Sequence, residues 1–425
     1  MTEIIPFKAI IYNPQKIKNL SSAVCPPYDI ISPQRQLYLH NLSPYNLVHL
    51  EFGLDVPGED KYKRAGEIFK DWLKKEILVQ EEKPDIYFYS QQYTLKGENR
   101  NRLGFIALLK LDEHKSTVFG HEHTHLEPKE DRLRLIREVE ANLSPIFVIF
   151  PDKKRIIQQN LKAYVQDKKP FIDIIDDEKN NHKLWRVDSP DLLKKIQSRI
   201  QEENIFIADG HHRYEVACAY RDEMIKKVNQ PTGQEGLNYI LAYFTNIDSP
   251  GLTVLPIHRL VKLDEKPDTL SLILRLRDYF YVEEIKDKIR FLFLLQKAGR
   301  AEHVLGMHTC NKFFLLRLKN VKILDKMLSD KPQIYKTLDV AILNILVLKN
   351  ILKLDLEDKS RITFSSNTEE LLGQIDNDNT RIGFLLNPTK IEQIVAVALN
   401  GEKMPPKSTY FYPKVLSGLV INRHG

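Results

Sequence analysis

The chain has 425 residues, of which 42% are hydrophobic and 28% are charged. This length exceeds one ordinary domain of roughly 100–200 residues, and the composition is typical of a folded protein, so we expect two or three domains. The formal net charge of +6 is spread along the whole chain. Because a dedicated nucleic-acid binder concentrates its basic residues, this charge pattern does not favour nucleic-acid binding.

Cysteine usage and hydropathy predict a cytoplasmic protein with no membrane partner. The cysteines Cys25, Cys218 and Cys310 lie far apart and form no CxxC pair, so they predict neither a disulfide framework nor a cysteine metal site. The N-terminal "MTEIIPFKAI" lacks the basic and apolar regions of a signal peptide. The apolar run "VAILNILVL", which starts at Val340, is about half as long as a spanning helix and predicts a buried helix.

The first motif along the chain is "VCPPYDIISPQ", residues 24–34. Its prolines fix the backbone around Tyr28 and Asp29, so the Asp29 carboxylate has a defined direction. Such a turn suits an active site and suits a rigid loop equally well.

Two β-strands follow, "IYFYSQQYTL" from Ile86 and "LGFIALLKL" from Leu103, and the polar "KGENR" between them predicts a β-hairpin.

The densest group of ionisable residues is "GHEHTHLEPKEDR", residues 120–132. An extended backbone would place His121, His123 and His125 on one face and Glu122 and Glu127 on the other. Three imidazoles could bind zinc, although one flat strand holds a tetrahedral ion poorly. We favour an active-site edge with Glu122 as a base or Mg²⁺ ligand, in which the supporting residues Lys129, Asp131 and Arg132 begin the next helix. The other alternative is a solvated loop.

Strands and helices then alternate, which is typical of a mixed α/β fold. Residues 128–143 predict an amphipathic helix that stops before Pro145, and "IFVIF" after it predicts a buried strand. Ser189 and Pro190 are typical of a helix start, and they precede "DLLKKIQSRI".

The stretch "IFIADGHHRYEVACAY", residues 205–220, places ionisable residues between a predicted strand and a predicted helix. A helix N-terminus offers unpaired N–H groups and a partial positive charge, both of which stabilise an anion. Gly210 lets the backbone approach a phosphate closely, Arg213 can bind it with two parallel hydrogen bonds, and His211 or His212 can donate another or move a proton. Asp209 could bind Mg²⁺ or orient a histidine. A capped helix start with a surface salt bridge explains the same residues.

Two motifs occur later in the chain. "LTVLPIHRLV" places His258 and Arg259 after an apolar strand, and the composition becomes polar soon afterwards, so we place the domain boundary at residue 260. The two predicted regions are residues 1–260 and 261–425. "MPPKSTYFYPK", residues 404–414, supplies Lys407, Ser408 and Thr409 to a loop that could close over a phosphate or a purine, or to a packed strand. It lacks the glycines of a P-loop.

Five motifs in order resemble one bacterial and archaeal family, the domain of unknown function 1015; they are "CPPYDIIS", "GHEHTHLEPKEDR", "ADGHHRYEVACAY", "LPIHRLV" and "MPPKSTYFYPK". The resemblance covers nearly the whole chain. The "DGHHR" segment also resembles the signature of ParB-like folds, a group that includes partition proteins, sulfiredoxins and free serine kinases. This likeness implies a ParB- and sulfiredoxin-like core within a larger two-domain α/β protein.

The resemblance to serine kinases implies that Asp209 and His212 are catalytic and that Gly210, His211 and Arg213 bind nucleotide phosphates. Glu122 is our candidate for the catalytic glutamate. Sulfiredoxin chemistry needs a cysteine in the turn, where this chain has histidines. We therefore expect a phosphotransferase that uses Mg²⁺ and ATP or ADP and acts on a small hydroxyl metabolite, with free L-serine as the first substrate to test. The alternative is a regulatory protein that binds a nucleotide or phosphometabolite without catalysis.

Overall fold

A computed structural model of the chain describes residues 1–112, 116–227 and 236–424. The fold divides into two compact units. The first comprises Met1–Gly120, Thr124–Thr253 and Pro413–Gly425, and the second comprises His121–His123 and Val254–Tyr412. Two segments, His121–His123 and Pro413–Gly425, thus belong to a different unit from the residues that precede them in the chain.

The described residues form the following strands: β1 (Ile4–Ile5), β2 (Ile10–Tyr12), β3 (Leu78–Gln80), β4 (Ile86–Leu95), β5 (Glu98–Lys110), β6 (Val118–Gly120), β7 (Ala141–Asn142), β8 (Ile146–Phe150), β9 (Ile172–Ile175), β10 (Asn181–Val187), β11 (Ile205–Asp209), β12 (Tyr239–Asn246), β13 (Thr253–Leu255), β14 (His258–Lys262), β15 (Phe280–Ile285), β16 (Val304–Thr309), β17 (Lys312–Leu318), β18 (Ile362–Ser365), β19 (Arg381–Leu385), β20 (Tyr410–Tyr412) and β21 (Asn422–Arg423).

The α-helices are α1 (Pro33–Leu42), α2 (Val48–Glu51), α3 (Lys61–Lys74), α4 (Leu126–Val139), α5 (Ile156–Val165), α6 (Pro190–Gln201), α7 (His211–Ile225), α8 (Thr269–Leu276), α9 (Lys288–Ala298), α10 (Ile323–Met327), α11 (Gln333–Lys336), α12 (Asp339–Ile342), α13 (Thr368–Asp376) and α14 (Ile391–Leu399). Short 3-10 turns occur at Leu20–Ser22, Tyr28–Ile30 and Gly236–Asn238, and a π-helix at Leu343–Ile351 continues α12. No helix in this described part of the chain is long and apolar enough to cross a membrane.

The first unit is built on a mixed sheet with the strand order β6-β11-β8-β12-β5-β4-β10-β9, and β1 also pairs with β5. β11 runs parallel to β6 and antiparallel to β8, and β8 runs parallel to β12. Every residue of β8 and β12 is buried, as expected for interior strands of a sheet covered on both faces. The apolar faces of α5 and α6 pack into the same core as these strands.

A second core of the first unit joins distant parts of the chain. It combines α3 and α4 with β2, β3 and the segments around Ala23 and Leu47, and it contains Ile421 from the end of the chain. β21 pairs with β7 through Asn422–Asn142 and Arg423–Ala141. Ile421, which lies close to the end of the chain, is therefore part of the first unit's core.

The second unit is built on an antiparallel sheet with the strand order β15-β17-β16-β19-β14-β18. One apolar core contains residues of α8, α12 and the π-helix, and another contains residues of α9 and α13. Because alternate side chains of a strand point to opposite faces, the sheet supplies residues to both cores. The mixed α/β class predicted from the sequence is confirmed.

The predicted β-hairpin is confirmed as β4 and β5. Its turn is tighter than expected, because Lys96 and Gly97 alone connect the strands and both have positive φ, 52° and 80°. The buried helix predicted from Val340 is confirmed as α12 and the π-helix. The predicted start at Ser189 is also confirmed, since its Oγ accepts a hydrogen bond from Leu192 N–H.

One predicted helix has different bounds, and one predicted strand is followed by a second strand. The helix predicted to run to residue 143 ends at Val139, because Glu140 adopts the left-handed conformation (φ 53°) and the next two residues form β7. The apolar stretch around Pro256 forms two strands, so His258 and Arg259 follow an apolar strand, β13, as predicted, and also begin the next strand, β14. Proline lacks the N–H group that a continuous strand needs.

Candidate functional site

The "DGHHR" segment joins the end of β11 to the start of α7 in the first unit. The register of β11 against β8 shifts between Ile207 and Asp209, which leaves Ala208 as a bulge. Bulges redirect the side chain that follows them, and here that side chain is Asp209. Gly210 is the N-cap of α7 with φ 91° and ψ 28°, so His211, His212 and Arg213 form the first helical turn.

Gly210 fits a position that other residues tolerate poorly. Its φ lies in the left-handed region, and a Cβ built there would lie 3.0 Å from Arg213 Nη2 and 3.0 Å from Ile146 Cγ2. The absence of a side chain therefore leaves room for the Arg213 guanidinium beside the backbone turn. It also leaves the first N–H groups of α7 without a side-chain cap from Gly210.

We expect Gly210→Ala to lower the free energy of unfolding of the first unit by about 1–3 kcal/mol, through backbone strain and the two close contacts. The control is Gly97→Ala, which has a similar φ of 80° but nothing within 4 Å of the added Cβ. Urea unfolding followed by tryptophan fluorescence measures both, because Trp72 and Trp185 lie in the first unit. Equal losses in the two variants would show that the contacts with Arg213 and Ile146 are unimportant.

Asp209 is the centre of a cluster of charged side chains. Arg213 Nη2 donates to Asp209 Oδ2 over 2.9 Å, and Lys414 Nζ donates to Asp209 Oδ1. Arg213 Nη1 also donates to Ser144 Oγ (3.1 Å) and to the carbonyl of Pro145 (2.6 Å). The three charged side chains are 10–14% exposed. Their interactions are therefore only weakly screened by solvent.

Carboxylates keep the Arg213 guanidinium charged despite its burial. Burial alone would lower the pKa of Arg213, but Asp209, Asp29 and Glu51 together raise it above its usual value. Asp29 is exposed and lies in the 3-10 turn Tyr28–Ile30. Its charge also acts to raise the pKa of His212. These effects place the predicted supporting residue Asp29 near the 209–213 turn.

A cavity of about 50 Å³ lies beside Arg213. Its polar lining includes Glu51, Arg132, Ser144 and Arg213. Arg132 is 6% exposed, donates to the carbonyl of Glu51 over 2.7 Å and lies 4.1 Å above the Tyr28 ring. The volume suffices for water but not for a nucleotide. The predicted supporting residue Arg132 thus lines the same cavity as Arg213.

His212 connects the turn to the segment before α4. The N–H of His125 donates to His212 Nε2 over 3.0 Å, so in the neutral ring the proton is on Nδ1. Burial, followed by the nearby charge of His125, lowers the pKa of His212, and the ring is therefore neutral at pH 7. In this arrangement the lone pair of His212 Nε2 already accepts a hydrogen bond, from the His125 N–H group. The catalytic role of His212 stays a prediction.

The charged residues in the first turns of α4 form ion pairs and hydrogen bonds within the first unit. Lys129 Nζ donates to Glu215 Oε2 over 3.2 Å, and Glu215 also accepts from Thr124 Oγ1. Asp131 accepts from Tyr62 Oη over 2.7 Å. The predicted residues Lys129 and Asp131 thus lie in the same unit as the turn and connect α4 to α7 and α3.

The remaining predicted site residues lie in the second unit; they are His121, Glu122, His123, His258, Arg259, Lys407, Ser408 and Thr409. His121 is buried, His123 is exposed, and His125 is exposed in the first unit. β6 ends at Gly120, and His121, His123 and His125 lie outside any strand, so the single extended strand considered for them is not observed.

Part of the 404–414 segment joins residues 121–122 within the second unit. Thr409 Oγ1 lies 3.1 Å from His121 Nε2 and donates to Glu122 Oε1 over 3.3 Å. Arg259 is 1% exposed and donates to the carbonyls of Pro406 and Lys407. Burial lowers the pKa of Arg259 to about 9. Its observed role is to hold the backbone of this loop.

His258 and Ser408 are also engaged inside the second unit. His258 Nδ1 accepts from Leu386 N–H over 3.1 Å, and its Nε2 lies 3.0 Å from Thr368 Oγ1. Ser408 Oγ donates to the carbonyl of Pro405. These contacts are those of buried, satisfied polar groups. The proposed roles of His258, Arg259 and Ser408 in binding stay predictions.

Sequence reasoning missed Lys414, Ser144 and Glu51. Lys414 lies in the segment "MPPKSTYFYPK", in which the sequence predicts a role only for Lys407, Ser408 and Thr409. The only signal in its favour is a basic residue placed directly after the predicted strand and Pro413. Ser144 and Glu51 carry no sequence signal, since Glu51 is a buried carboxylate at the end of a four-residue helix.

The predicted Mg²⁺ ligand Asp209 does not fit a preformed metal site. Both of its carboxylate oxygens accept hydrogen bonds from cations, Arg213 and Lys414. Among residues 1–112, 116–227 and 236–424, no group of three or more His, Cys, Asp or Glu side chains is arranged to hold a metal ion. Mg²⁺ prefers several oxygen ligands in octahedral geometry. We therefore assign no chemical step to a resident metal.

Comparison with solved structures finds distant similarities. A mutant of free serine kinase in complex with ADP is 12% identical, with 72% of this chain and 87% of that chain covered and a TM-score of 0.35. A C-terminally truncated SbnI from Staphylococcus aureus is 11% identical, with 73% and 85% covered and a TM-score of 0.36. A conserved hypothetical protein from Pyrococcus furiosus is 11% identical, with 73% and 92% covered and a TM-score of 0.32.

No curated protein matches the chain. A family model described as "Protein of unknown function (DUF1015)" matches residues 4–341. This match spans the strand-turn-helix that carries Asp209 to Arg213 and just over half of the second unit. The chain therefore belongs to the DUF1015 family.

Proposed function

We propose that the first unit binds a nucleotide through its phosphates at the 209–213 turn and transfers a phosphoryl group to a small-molecule hydroxyl. The observation that supports this most is the position of Arg213. Its guanidinium lies against the left-handed Gly210 at the start of α7, where the first N–H groups of a helix carry a partial positive charge. An anionic ligand at this point would be stabilised by the helix and by Arg213 together.

The proposed reaction needs positioning and charge neutralisation more than covalent chemistry. The hydroxyl oxygen of the acceptor attacks the terminal phosphorus of the nucleotide. The bond from this phosphorus to the bridging oxygen breaks, the nucleotide that is one phosphate shorter leaves with that oxygen and the electron pair of the bond, and the hydroxyl proton passes to a carboxylate. Asp209, between Arg213 and Lys414, is our candidate for orienting these cations and for taking the proton. Glu122 and His212 stay further candidates for the base, and Lys407, Ser408 and Thr409 stay candidates for nucleotide contacts.

Free L-serine is the acceptor to test first, because "DGHHR" at residues 209–213 resembles the corresponding turn of free serine kinases. The protein is incubated with the magnesium complex of ATP or ADP and with serine, and phosphoserine is followed by phosphorus NMR. We expect Asp209→Asn to reduce turnover by about 10²–10⁴-fold, as expected for loss of a general base. The exposed Asp167→Asn serves as the control for loss of a surface carboxylate.

The second candidate function is binding without catalysis, and it is favoured by the occupied state of Asp209. In that case the nucleotide raises the melting temperature of the unaltered protein, but phosphate is transferred neither to serine nor to other small hydroxyl compounds. Asp209→Asn would then leave affinity nearly intact. If neither a nucleotide nor a phosphorylated metabolite such as phosphoserine binds at millimolar concentration, both functions are excluded.

A further inference from the structure

We infer that Lys414 is a second cationic ligand of the phosphate-binding site and that the C-terminal segment, residues 413–425, is what delivers it. The inference deepens the proposed function, on which it rests for the identity of the anion. Lys414 lies 205 positions from Asp209 along the chain, yet its Nζ donates directly to the Asp209 carboxylate. Both residues belong to the first unit.

The cationic side chains at Asp209 are buried beside further carboxylates. One carboxylate accepts from two cations, Arg213 and Lys414, and all three side chains are mostly buried. Glu51, the buried carboxylate nearby, lies 3.9 Å from Arg132 Nη1 and accepts from Ser144. In addition, Arg213 Nε is buried and has no hydrogen-bond partner among the described residues. An oxyanion bound beside Arg213 would supply this buried donor with an acceptor.

The backbone around Lys414 is held by a buried arginine and glutamine. Gln91 Nε2 donates to the Lys414 carbonyl over 3.0 Å, and Arg102 Nη2 donates to the Pro413 carbonyl. Arg102 is fully buried, donates through Nε to Gln91 Oε1 and lies 4.5 Å from the Phe147 ring centre. Burial of a guanidinium is costly unless its contacts are specific. We assign Arg102 and Gln91 as positioning residues for Lys414.

The segment is also fixed on the other side of Lys414. Cys25 and Ser417 exchange two backbone hydrogen bonds of 3.3 and 2.9 Å. Because Arg102 binds the Pro413 carbonyl, the backbone has hydrogen-bond partners on both sides of Lys414. A ligand would therefore be met by movement of the Lys414 side chain and not of its backbone. A lysine on such a fixed backbone acts as a point charge for a phosphate, while Arg213 supplies directional hydrogen bonds. The ligand class is the terminal phosphate of a nucleoside di- or triphosphate.

The test measures dissociation constants of ADP and of inorganic pyrophosphate by calorimetry with the full-length protein. We expect Lys414→Ala to weaken both by about 10- to 100-fold, since it removes a hydrogen bond between charged groups. Lys414→Arg keeps the charge and should recover most of the affinity. Arg423→Ala, which removes an exposed cation from the same segment, should leave both constants unchanged.

The outcomes distinguish failure of the Lys414 inference from failure of the proposed nucleotide function. If Lys414→Ala binds ADP and pyrophosphate as tightly as the unaltered protein, the inference is wrong and the proposed function is unaffected. If the unaltered protein binds pyrophosphate in a Lys414-dependent way but binds no nucleotide, Lys414 is an anion ligand and the nucleotide function fails. If it binds neither compound, both proposals fail.

The positioning role of Arg102 is tested by a double-mutant cycle. We expect Arg102→Met to weaken ADP binding in the unaltered protein but to have little further effect in the Lys414→Ala background, because Arg102 acts through Lys414. Arg102→Lys, which keeps a donor for the Pro413 carbonyl, should restore part of the affinity. Additive losses in the double variant would mean that Arg102 affects ADP binding independently of Lys414, and its positioning role would be wrong.

Discussion

Deletion of residues 413–425 is expected to prevent the first unit from folding. The deleted segment contributes buried apolar side chains, namely Val415, Leu416, Leu419, Val420 and Ile421. Each is worth roughly 1.5–3 kcal/mol, so their sum is comparable with the about 5–15 kcal/mol that stabilises an ordinary protein. Tryptophan fluorescence measures the effect, because Trp72 and Trp185 both lie in this unit. A truncated chain with native emission and an unchanged urea midpoint would contradict the prediction.

A single substitution tests the contribution of this segment to the stability of the first unit without shortening the chain. Ile421→Ala should lower the free energy of unfolding of the first unit by about 2–5 kcal/mol, because Ile421 is fully buried in the core with α3 and α4. The matched control is Ile175→Ala in β9, where the isoleucine is 59% exposed. The control should change stability by no more than about 0.5 kcal/mol. Similar effects in the two variants would mean that the end of the chain adds little to the core.

The strand-turn-helix that carries the site could be predicted because its signals are local. An apolar run before Asp209 and Gly210 indicates a strand that ends in a turn, and the following residues have helical character. The structure adds the bulge at Ala208 and starts α7 at His211. Neither follows from composition, because a bulge depends on the register with β8 and the helix start depends on the φ of Gly210.

The partners of the site could not be predicted because they come from distant parts of the chain. Lys414, Ser144 and Glu51 reach Asp209 or Arg213 only through tertiary folding, and no spacing rule connects them. Arg102 is a further example. In the sequence it lies among polar residues directly before the predicted strand that starts at Leu103. Its guanidinium is nevertheless fully buried, and Gln91 and two aromatic rings make this burial possible.

The assignment of residues to two units changes how the site predictions are tested. Sequence order suggests that residues 121–132 form one active-site edge, but His121–His123 belong to the second unit, whereas Lys129, Asp131 and Arg132 belong to the first. Sequence order also suggests that residues 404–414 act together. Lys407 to Thr409 belong to the second unit, and Lys414 belongs to the first. Variants of the first-unit residues therefore test the phosphate site most directly.

Arg213→Lys is expected to reduce phosphoryl transfer by about 10²–10³-fold, comparable with the loss of one oxyanion donor. The guanidinium of Arg213 donates simultaneously to Asp209, Ser144 and the Pro145 carbonyl. A lysine ammonium keeps the charge but cannot reproduce this planar set of donors or bind a phosphate through two parallel bonds. The initial rate of phosphoserine formation measures the effect at saturating and at limiting nucleotide.

The control for Arg213→Lys is Arg137→Lys, which changes an exposed arginine of α4 that pairs with Glu223 of α7. Exposed ion pairs contribute about 0–1 kcal/mol, so neither rate nor stability should change appreciably. Asp209 keeps Lys414 as a partner in Arg213→Lys, and we therefore expect the protein to stay folded by tryptophan fluorescence. A folded Arg213→Lys protein with an undiminished rate would place the transferred phosphate away from this guanidinium. The phosphate would then have to bind elsewhere than at the start of α7, and the proposal that this turn binds phosphate would fail.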